Sequence, residues 1–246
     1  MKIKVYPTSE LQSRAAAQVI ADQIRIKPDT VVCLATGDSP FGTYRELVRM
    51  FKDSNIDCSR LRVFGLDEWV GIPPDNTGSC HYYLHENFIR PLAIGNDRVY
   101  LFDGLSKDLS GECSRMTEAI RHAGGIDIMI VGIGMNGHIG FNEPGVDVNL
   151  WAHAIELDEI TKTVGQKYFQ SATPLSKGIT QGFQQVFAAR TLMLLAHGKK
   201  KASIIRQTAE APVGIAIPST LLRQHKNSLI MLDEEAASEL APSLRN

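Results

Sequence analysis

Short apolar runs recur along the chain, and longer stretches with helical periodicity separate them. Most of these runs are almost continuous in apolar residues, a pattern typical of strands that are buried on both faces of a parallel sheet. We predict strands at residues 30–37, 61–67, 126–134, 191–198, 213–218 and 228–233. A sheet of such strands needs helices on both of its faces.

The stretches between these runs supply candidates for the helices. One helix is predicted to begin at Ser9, which stands three residues before Gln12 in the spacing of a capping box. A second is predicted with Ser39 as N-cap and Pro40 at the first helical position. Two further helices are predicted at residues 112–123 and 199–208.

One stretch departs from the alternation of strands and helices. Residues 146–190 are polar and contain no clear strand, so we expect a mobile helix-and-loop lid there. No repeat, low-complexity tract or linker marks a domain boundary. The pattern therefore predicts a single doubly wound, mostly parallel α/β domain over residues 1–246, with helices on both faces of the sheet in a Rossmann-like three-layer arrangement.

Composition and charge narrow the classes of partner. The net charge of −1 gives no reason to expect nucleic acid or an anionic membrane as partner. No apolar run approaches the roughly 20 residues that span a bilayer, and the first ten residues lack the apolar core of a signal peptide. Four cysteines without C-x-x-C spacing are expected to be free thiols in a cytoplasmic protein: Cys33, Cys58, Cys80 and Cys113.

Unusual side chains follow the first predicted strand. In open α/β sheets, ligands bind beyond the carboxyl ends of the strands. The segment "LATGDSPFGTY" joins a strand, a turn at Gly37 and Asp38, and a helix start, so its free backbone N–H groups suit a phosphate. Ser39 and Thr43 are candidate hydroxyl donors. The segment lacks the P-loop lysine, and a simple tight turn before a capped helix is an equally good interpretation.

Two carboxylates stand at the end of the second predicted strand, in "GLDEWVG". Asp67 or Glu68 could face a crevice that restricts water, where partial burial raises the pKa of a carboxyl group and makes it a useful general base. The alternative is that both acids are solvated loop charges or helix caps.

The most distinctive segment is the loop "GMNGHIGFNEPG" at residues 134–145, directly after an apolar strand. Its glycines permit backbone conformations that could aim His138 and Glu143 into one site. A histidine oriented by a carboxylate is a plausible proton shuttle near neutral pH. A loop histidine is usually a hydrogen-bonded surface residue, but the crowding of Asn136, Asn142 and these two side chains favours a site.

Two other features have simpler explanations. His81 and His85 are four residues apart, as metal ligands on a helix would be, but a third ligand is not apparent and a surface helix is the better interpretation. The run of lysines at residues 199–201 is expected to be mostly solvated, although one lysine at a strand end could neutralise a phosphate.

The motifs together resemble the glucosamine-6-phosphate deaminase/isomerase family over essentially the whole chain. The segments that carry the resemblance are "LATGDSPFGTY", "LDEWVG", "GIGMNGHIGFNEPG" and "HGKKKA", in this order. The resemblance implies a metal-independent aldose–ketose isomerisation coupled to loss of ammonia, with an amino-sugar phosphate as substrate, a ketohexose 6-phosphate as product and no cofactor.

The resemblance also implies roles for individual residues. Asp67 matches the base that moves a proton between C2 and C1, and His138 matches the residue that assists ring opening. Glu143 and Asn136 match the residues that orient and polarise the histidine. Lys201 matches a phosphate-binding lysine, and residues 37–43 match the phosphate loop.

Several positions depart from the family pattern. Asn136 stands where many members have aspartate, and Asp38 replaces a glycine of the phosphate turn, where a carboxylate would repel a phosphate unless it points away. Lys167 replaces a substrate-binding arginine and loses its bidentate fork. Three residues differ from the activator ligands of hexameric members, so we expect no such activation and a monomer or small homo-oligomer: His153, Ile155 and Glu156.

Three alternatives to glucosamine 6-phosphate deamination remain at this stage. The segments "LDEWV" and "GSCHYYL" also resemble the galactosamine-6-phosphate deaminase/isomerase branch, which would give tagatose 6-phosphate. A lactonase related to the 6-phosphogluconolactonases is a more distant alternative, because those enzymes typically lack the "FNEP" continuation. A non-catalytic sugar-phosphate sensor is the third.

Overall fold

A computed structural model describes residues 1–54 and 56–245, and ten strands and seven α-helices are found within them. The strands are β1 (Lys2–Tyr6), β2 (Val31–Leu34), β3 (Arg62–Gly65), β4 (Asp67–Trp69), β5 (Val99–Tyr100), β6 (Ile128–Val131), β7 (His153–Glu156), β8 (Lys177–Thr180), β9 (Thr191–Ala196) and β10 (Ser228–Asp233). The helices are α1 (Ser9–Ile26), α2 (Asp38–Ser54), α3 (Cys80–Leu84), α4 (Leu109–His122), α5 (Glu159–Gly165), α6 (Phe183–Ala188) and α7 (Ala202–Glu210).

Short helical turns extend or join these elements. A π-helical turn, His85–Ile89, continues α3. The 3₁₀ turns are Asn96–Arg98, Gln166–Tyr168, Lys199–Lys201, Pro218–Gln224 and Pro242–Leu244. No helix in the described part of the chain is both long and apolar enough to cross a membrane.

Seven strands form one parallel sheet in the order β1-β10-β9-β6-β2-β3-β5. The central strands β2 and β6 are buried along their whole length, as their continuous apolar sequences predict. Side chains of opposite orientation along these strands enter two different cores. Val32 and Leu34 pack with α1 and α2, whereas Val31 and Cys33 pack with α4, α6 and α7. The predicted doubly wound, mostly parallel α/β fold is therefore confirmed.

A second, antiparallel sheet of three strands corrects the interpretation of residues 146–190. Strands β7 and β8 lie within this stretch, and β8 pairs with both β7 and β4. The sequence gives a weak signal because each of these strands has at most four residues. The sheet supports its own apolar cluster, in which Trp69 and Phe141 pack with Leu157 and Leu175. Residues 146–190 are thus anchored through β7 and β8, on either side of α5, and the movement of a lid stays a prediction.

Three further predictions need correction. Residues 213–218 form a turn, because the hydroxyl of Thr220 bonds the backbone of Gly214 and Ile217 and leaves Val213 and Ile215 exposed. Helix α1 is capped by Thr8, whose side chain accepts the N–H of Leu11, and not by Ser9. Helix α2 begins at Asp38, so Ser39 lies inside its first turn. Strand β1 was not predicted, although "KIKVY" alternates polar and apolar residues.

Candidate active site

The carboxyl ends of β2, β3 and β6 open into a pocket with a volume of about 140 Å³, and helix α5 covers one side of it. This is the edge of a parallel sheet at which ligands bind. Six of the ten predicted site residues line this pocket: Asp38, Ser39, Asp67, His138, Lys167 and Lys201. The topology therefore brings together side chains that are as much as 163 positions apart in the sequence, from Asp38 to Lys201.

Two adjacent carboxylates, Asp67 and Glu68, have different surroundings. Burial and the neighbouring charge of Glu68 raise the pKa of Asp67 to about 7, and a contact from Cys80 partly opposes this shift. Glu68 points away from the pocket and is only 2 % exposed. Its carboxylate accepts the backbone N–H groups of Trp69, Cys80 and His81 at 2.8–2.9 Å. Asp67 is thus the carboxylate that a ligand can reach, and Glu68 fastens the start of α3 to β4.

The imidazole of His138 lies flat against the backbone of Gly134, where a Cβ atom would stand 2.3 Å from the ring. Its Nδ1 atom is 3.2 Å from Oε2 of Glu143 and 3.0 Å from the hydroxyl of Thr161. Asn136 accepts the backbone N–H of His138 and donates to the same carboxylate oxygen of Glu143 at 2.9 Å. With Nδ1 held in this way, no atom of the described residues hydrogen-bonds Nε2, which is left for a ligand.

Glu143 is the buried partner of this histidine and is 4 % exposed. Burial would raise the pKa of its carboxyl group, but hydrogen bonds from His138, Thr161 and Asn136 outweigh burial and lower it. The carboxylate is therefore ionised near neutral pH, and it favours the imidazole form that carries a proton on Nδ1.

An ion pair closes the end of the pocket formed by the turn at Gly37. The ammonium of Lys167 is 2.5 Å from the carboxylate of Asp38 and 4.8 Å from the ring centre of Tyr168. Gly37 has a φ of +102°, and the hydroxyl of Tyr168 is so near that a Cβ atom on Gly37 would be 2.8 Å from it. A glycine is thus required here for both backbone conformation and space.

Lys201 is the one lysine of residues 199–201 that lines the pocket. Its ammonium donates to the carbonyl of Ile133 at 2.6 Å, which holds it at the carboxyl end of β6. Burial and the charge of Lys167 lower its pKa to about 8, although Asp38 opposes the shift. Lys201 therefore remains mostly cationic at neutral pH and becomes neutral as the pH rises above 8.

Four predicted site residues do not line the pocket. Asn136 and Glu143 act on it through His138, as their hydrogen bonds show, and Gly37 is covered by Tyr168. Thr43 is fully buried in α2, and its hydroxyl has no hydrogen-bond partner among the described residues, so its role in phosphate binding stays a prediction.

The structure adds residues that the sequence did not identify. Thr161 reaches His138 from α5, Cys80 touches Asp67 from α3 at 3.6 Å, and Trp69 forms one wall of the pocket. Thr161 follows Asp158, which caps α5 by accepting the N–H of Ile160 at 2.8 Å. The sequence signal for this helix was an aspartate, which is a preferred N-cap residue, followed by a few residues with helical periodicity. Nothing local to the sequence indicates that its threonine meets a histidine 23 residues away.

His81 and His85, which the sequence suggested as a weak metal motif, stack on each other with ring centres 4.6 Å apart. No cluster of three or more potential metal-ligating side chains includes them in the described part of the chain. The pair lies where α3 passes into the π-helical turn, and neither side chain lines the pocket.

The fold and the pocket define a class of protein. Its members are doubly wound α/β proteins in which a carboxylate faces the same cleft as an imidazole that a second carboxylate holds. Lysines lie at one end of this cleft. Known proteins narrow the class. A model of the family described as glucosamine-6-phosphate isomerases/6-phosphogluconolactonase matches residues 8–231. The glucosamine-6-phosphate deaminase of Thermoanaerobacter sp. (strain X514) is 40 % identical over 97 % of this chain and 94 % of its own length. The chain belongs to this family.

Solved structures agree with the assignment. A protein described as a monomeric glucosamine-6-phosphate deaminase superposes with a TM-score of 0.94 at 35 % identity, covering 97 % of this chain and all of the other. The 6-phosphogluconolactonase of Trypanosoma cruzi gives a TM-score of 0.77 at 21 % identity, covering 98 % of this chain and 97 % of its own, which shows a shared fold alone.

Proposed function

We propose that this protein is an amino-sugar-6-phosphate deaminase/isomerase, which converts glucosamine 6-phosphate and water to fructose 6-phosphate and ammonia. The observation that carries the proposal is that Asp67 and His138 line one pocket. The high identity to curated glucosamine-6-phosphate deaminases over nearly full length supports the same activity.

The first step is opening of the pyranose ring. His138 is held through Nδ1 by Glu143, so its Nε2 atom is free to exchange a proton with the substrate. Protonation of the ring oxygen, with loss of the proton on the C1 hydroxyl, breaks the bond between C1 and the ring oxygen and gives the open aldehyde. The ionised Glu143 stabilises the imidazolium that forms transiently in this exchange.

The second step moves a proton along the open chain. Asp67 removes the proton from C2, which the C1 carbonyl acidifies, and the resulting enolamine receives a proton at C1. The product is an imine at C2, to which water adds before ammonia leaves. A carboxyl group with a pKa of about 7 suits both halves of this transfer, because it is a stronger base than an ordinary aspartate.

The phosphate end fixes the open chain during these steps. Lys201 supplies a charge at the end of the sheet, and the first N–H groups of α2 have no acceptor within the helix. Lys167 is nearby, but it is paired with Asp38. A phosphate must therefore compete with this carboxylate for Lys167.

Release of ammonia tests the proposal directly. The purified protein, without added metal, is incubated with glucosamine 6-phosphate, galactosamine 6-phosphate or 6-phosphogluconolactone, and ammonia, ketohexose phosphate and acid release are followed. We expect ammonia and fructose 6-phosphate in equal amounts from the first substrate. Preference for the second would assign the galacto epimer. Lactone hydrolysis with no ammonia from either amino sugar would refute the proposal.

We further propose that the chain acts as a single cytoplasmic domain, as a monomer or small homo-oligomer. The related solved deaminase is described as monomeric. The four cysteines are unpaired, three of them buried, which is usual in a reducing compartment. Helix α5, which bears Thr161 and adjoins Lys167, is the part of residues 146–190 that we propose to move when substrate binds.

A further inference from the structure

Cys80 contacts the carboxylate that the proposed chemistry uses. Its Sγ atom is 3.6 Å from Oδ1 of Asp67, and the hydroxyl of Thr36 is 3.2 Å from the same sulfur. All three side chains line the pocket, and Cys80 is 4 % exposed. Within residues 1–54 and 56–245, no other side chain forms a hydrogen bond with the Asp67 carboxylate.

The direction of this chain of contacts follows from the protonation of the thiol. Burial and the nearby charges of Glu68 and Asp67 raise the pKa of Cys80 well above its ordinary value. The sulfur therefore keeps its proton and is a neutral donor to the carboxylate. The hydroxyl of Thr36 then donates to a lone pair of the sulfur. Thr36, Cys80 and Asp67 thus form a relay in which each group donates to the next.

The position of Cys80 is fixed by the neighbouring acid. Glu68 accepts the backbone N–H of Cys80 at 2.9 Å, together with those of Trp69 and His81. It thereby ties the first turn of α3 to β4. These bonds fix the backbone of Cys80, and the contact from Thr36 helps to hold its sulfur toward Asp67. A thiol is a weaker donor than a hydroxyl, so it steadies the ionised carboxylate without greatly weakening it as a base.

We propose that Cys80 is a positioning residue, which holds the ionised carboxylate of Asp67 in the pocket through its neutral thiol. Its place in catalysis rests on the proposed function, but the contact itself does not. The titratable groups whose charge acts on or is affected by Asp67 are Glu68 on the same strand, Cys33 on β2, Tyr44 on α2 and Cys80 on α3, and of these Cys80 contacts its carboxylate.

The test is a titration of Asp67 in the free protein by ¹³C NMR of labelled aspartate, with Asp67→Asn to assign the signal. Cys80→Val fills similar space without a donor, so we expect the midpoint to rise by roughly half a pH unit or more. Cys80→Ser keeps a donor, and its midpoint should equal or fall below that of the wild type. Thr36→Val, which leaves Cys80 in place, should cause a smaller rise.

Cys113→Val is the matched control, because Cys113 is a buried cysteine of α4, in the core that α4, α6 and α7 form with the sheet. It should leave the Asp67 midpoint unchanged. The proposal is overturned if Cys80→Val titrates as the wild type does, or if Cys80→Ser shifts upward with Cys80→Val. If Cys80→Val does not fold, an unchanged midpoint in Thr36→Val overturns it as well.

Kinetics then separate this inference from the proposed function. For the amino-sugar phosphate, kcat/KM falls at low pH when the base of the free enzyme is protonated. The pH of this fall should therefore follow the same order among the variants as the titration midpoints of Asp67. A protein that releases no ammonia refutes the proposed function and leaves the titration result standing. Ammonia release with no effect of Cys80 on either measurement refutes only the inference.

Discussion

Asp67 combines access to the pocket with a pKa of about 7, and removing its basicity should stop the chemistry. For Asp67→Asn we expect a loss in kcat of about 10³-fold, within the range usual for a general base. Binding of the substrate should change only slightly, because Asp67 is not at the phosphate end. Calorimetry with glucosamine 6-phosphate and single-turnover rates measure the two quantities. A variant with the wild-type rate would exclude Asp67 from the mechanism.

The two departures from the family pattern at the phosphate end, Asp38 and Lys167, are linked by an ion pair. Each departs from the pattern expected for a phosphate site, and the structure pairs them at 2.5 Å. Asp38→Asn keeps a good residue at the helix start and frees Lys167, so KM should fall about 3–10-fold at low salt, with less effect at high salt. Asp75→Asn, in an exposed loop, is the control. A higher KM for Asp38→Asn would mean that the carboxylate assists binding.

Lys167→Arg tests the other half of the pair. Arginine keeps the charge and adds a bidentate fork that suits a phosphate, so the variant should be tolerated or bind the substrate more tightly. The measurement is KM together with kcat for the amino-sugar phosphate. A severe loss of kcat at unchanged KM would contradict a role for Lys167 in binding.

At the scale of elements, the parallel sheet and its strand ends could be predicted because each strand carries its own signal. Residues 126–134 and 61–67 are apolar runs followed by polar side chains, and parallel strands put such ends at one edge. The small sheet could not be predicted, since β4, β7 and β8 are short, and β4 pairs with β8 across more than 100 residues of sequence.

The same reason explains which contacts in the site could not be predicted from the sequence. The pairing of His138 with Glu143 is local, because a six-residue loop segment contains both. The contact of Thr161 with His138 depends on where α5 docks, and the contact of Cys80 with Asp67 depends on how Glu68 anchors α3. Long-range docking leaves little trace in a single sequence. Residues 213–218 show the opposite kind of error. Their apolar run predicts a strand, but they form a turn, because an apolar run alone does not make a strand.

Helix α5 offers a test of this docking. Gly165 packs so closely on Trp69 that an added Cβ atom would be 2.7 Å from the indole ring and 3.0 Å from Leu175. Gly165→Ala should therefore push α5 outward, despite the better helix propensity of alanine, and separate Thr161 from His138. We expect kcat to fall roughly 10-fold or more, because a displacement of about 1 Å at a site is costly.

The matched control for α5 is Thr163→Ala, an exposed position of the same helix, which should retain the wild-type rate. A crystal structure or the NMR shifts of His138 would locate the displacement in Gly165→Ala. If this variant is as active as the wild type while the shifts of His138 change, the position of α5 does not govern the histidine's function.

At the scale of the whole molecule, the two adjacent carboxyl groups Asp67 and Glu68 should lower the stability of the fold above neutral pH. Burial raises the pKa of both Asp67 and Glu68 to about 7, whereas an unfolded carboxyl group titrates near pH 4. Between these values the folded protein binds more protons than the unfolded chain does. The contribution of these two groups to the free energy of unfolding therefore falls as the pH rises from about 4 to 7, and it stays lower above pH 7.

Asp67→Asn removes one of these two groups, and so it should stabilise the protein only where the wild-type carboxylate is charged. We expect a gain of roughly 1–3 kcal/mol at pH 8 and almost none at pH 4, from urea unfolding at both values. Asp75→Asn, at an exposed position, should show no such pH dependence. An equal effect of Asp67→Asn at both pH values would indicate a change in packing. A loss of stability at pH 8 would mean that the folded protein favours the ionised form, contrary to the burial of this carboxyl group.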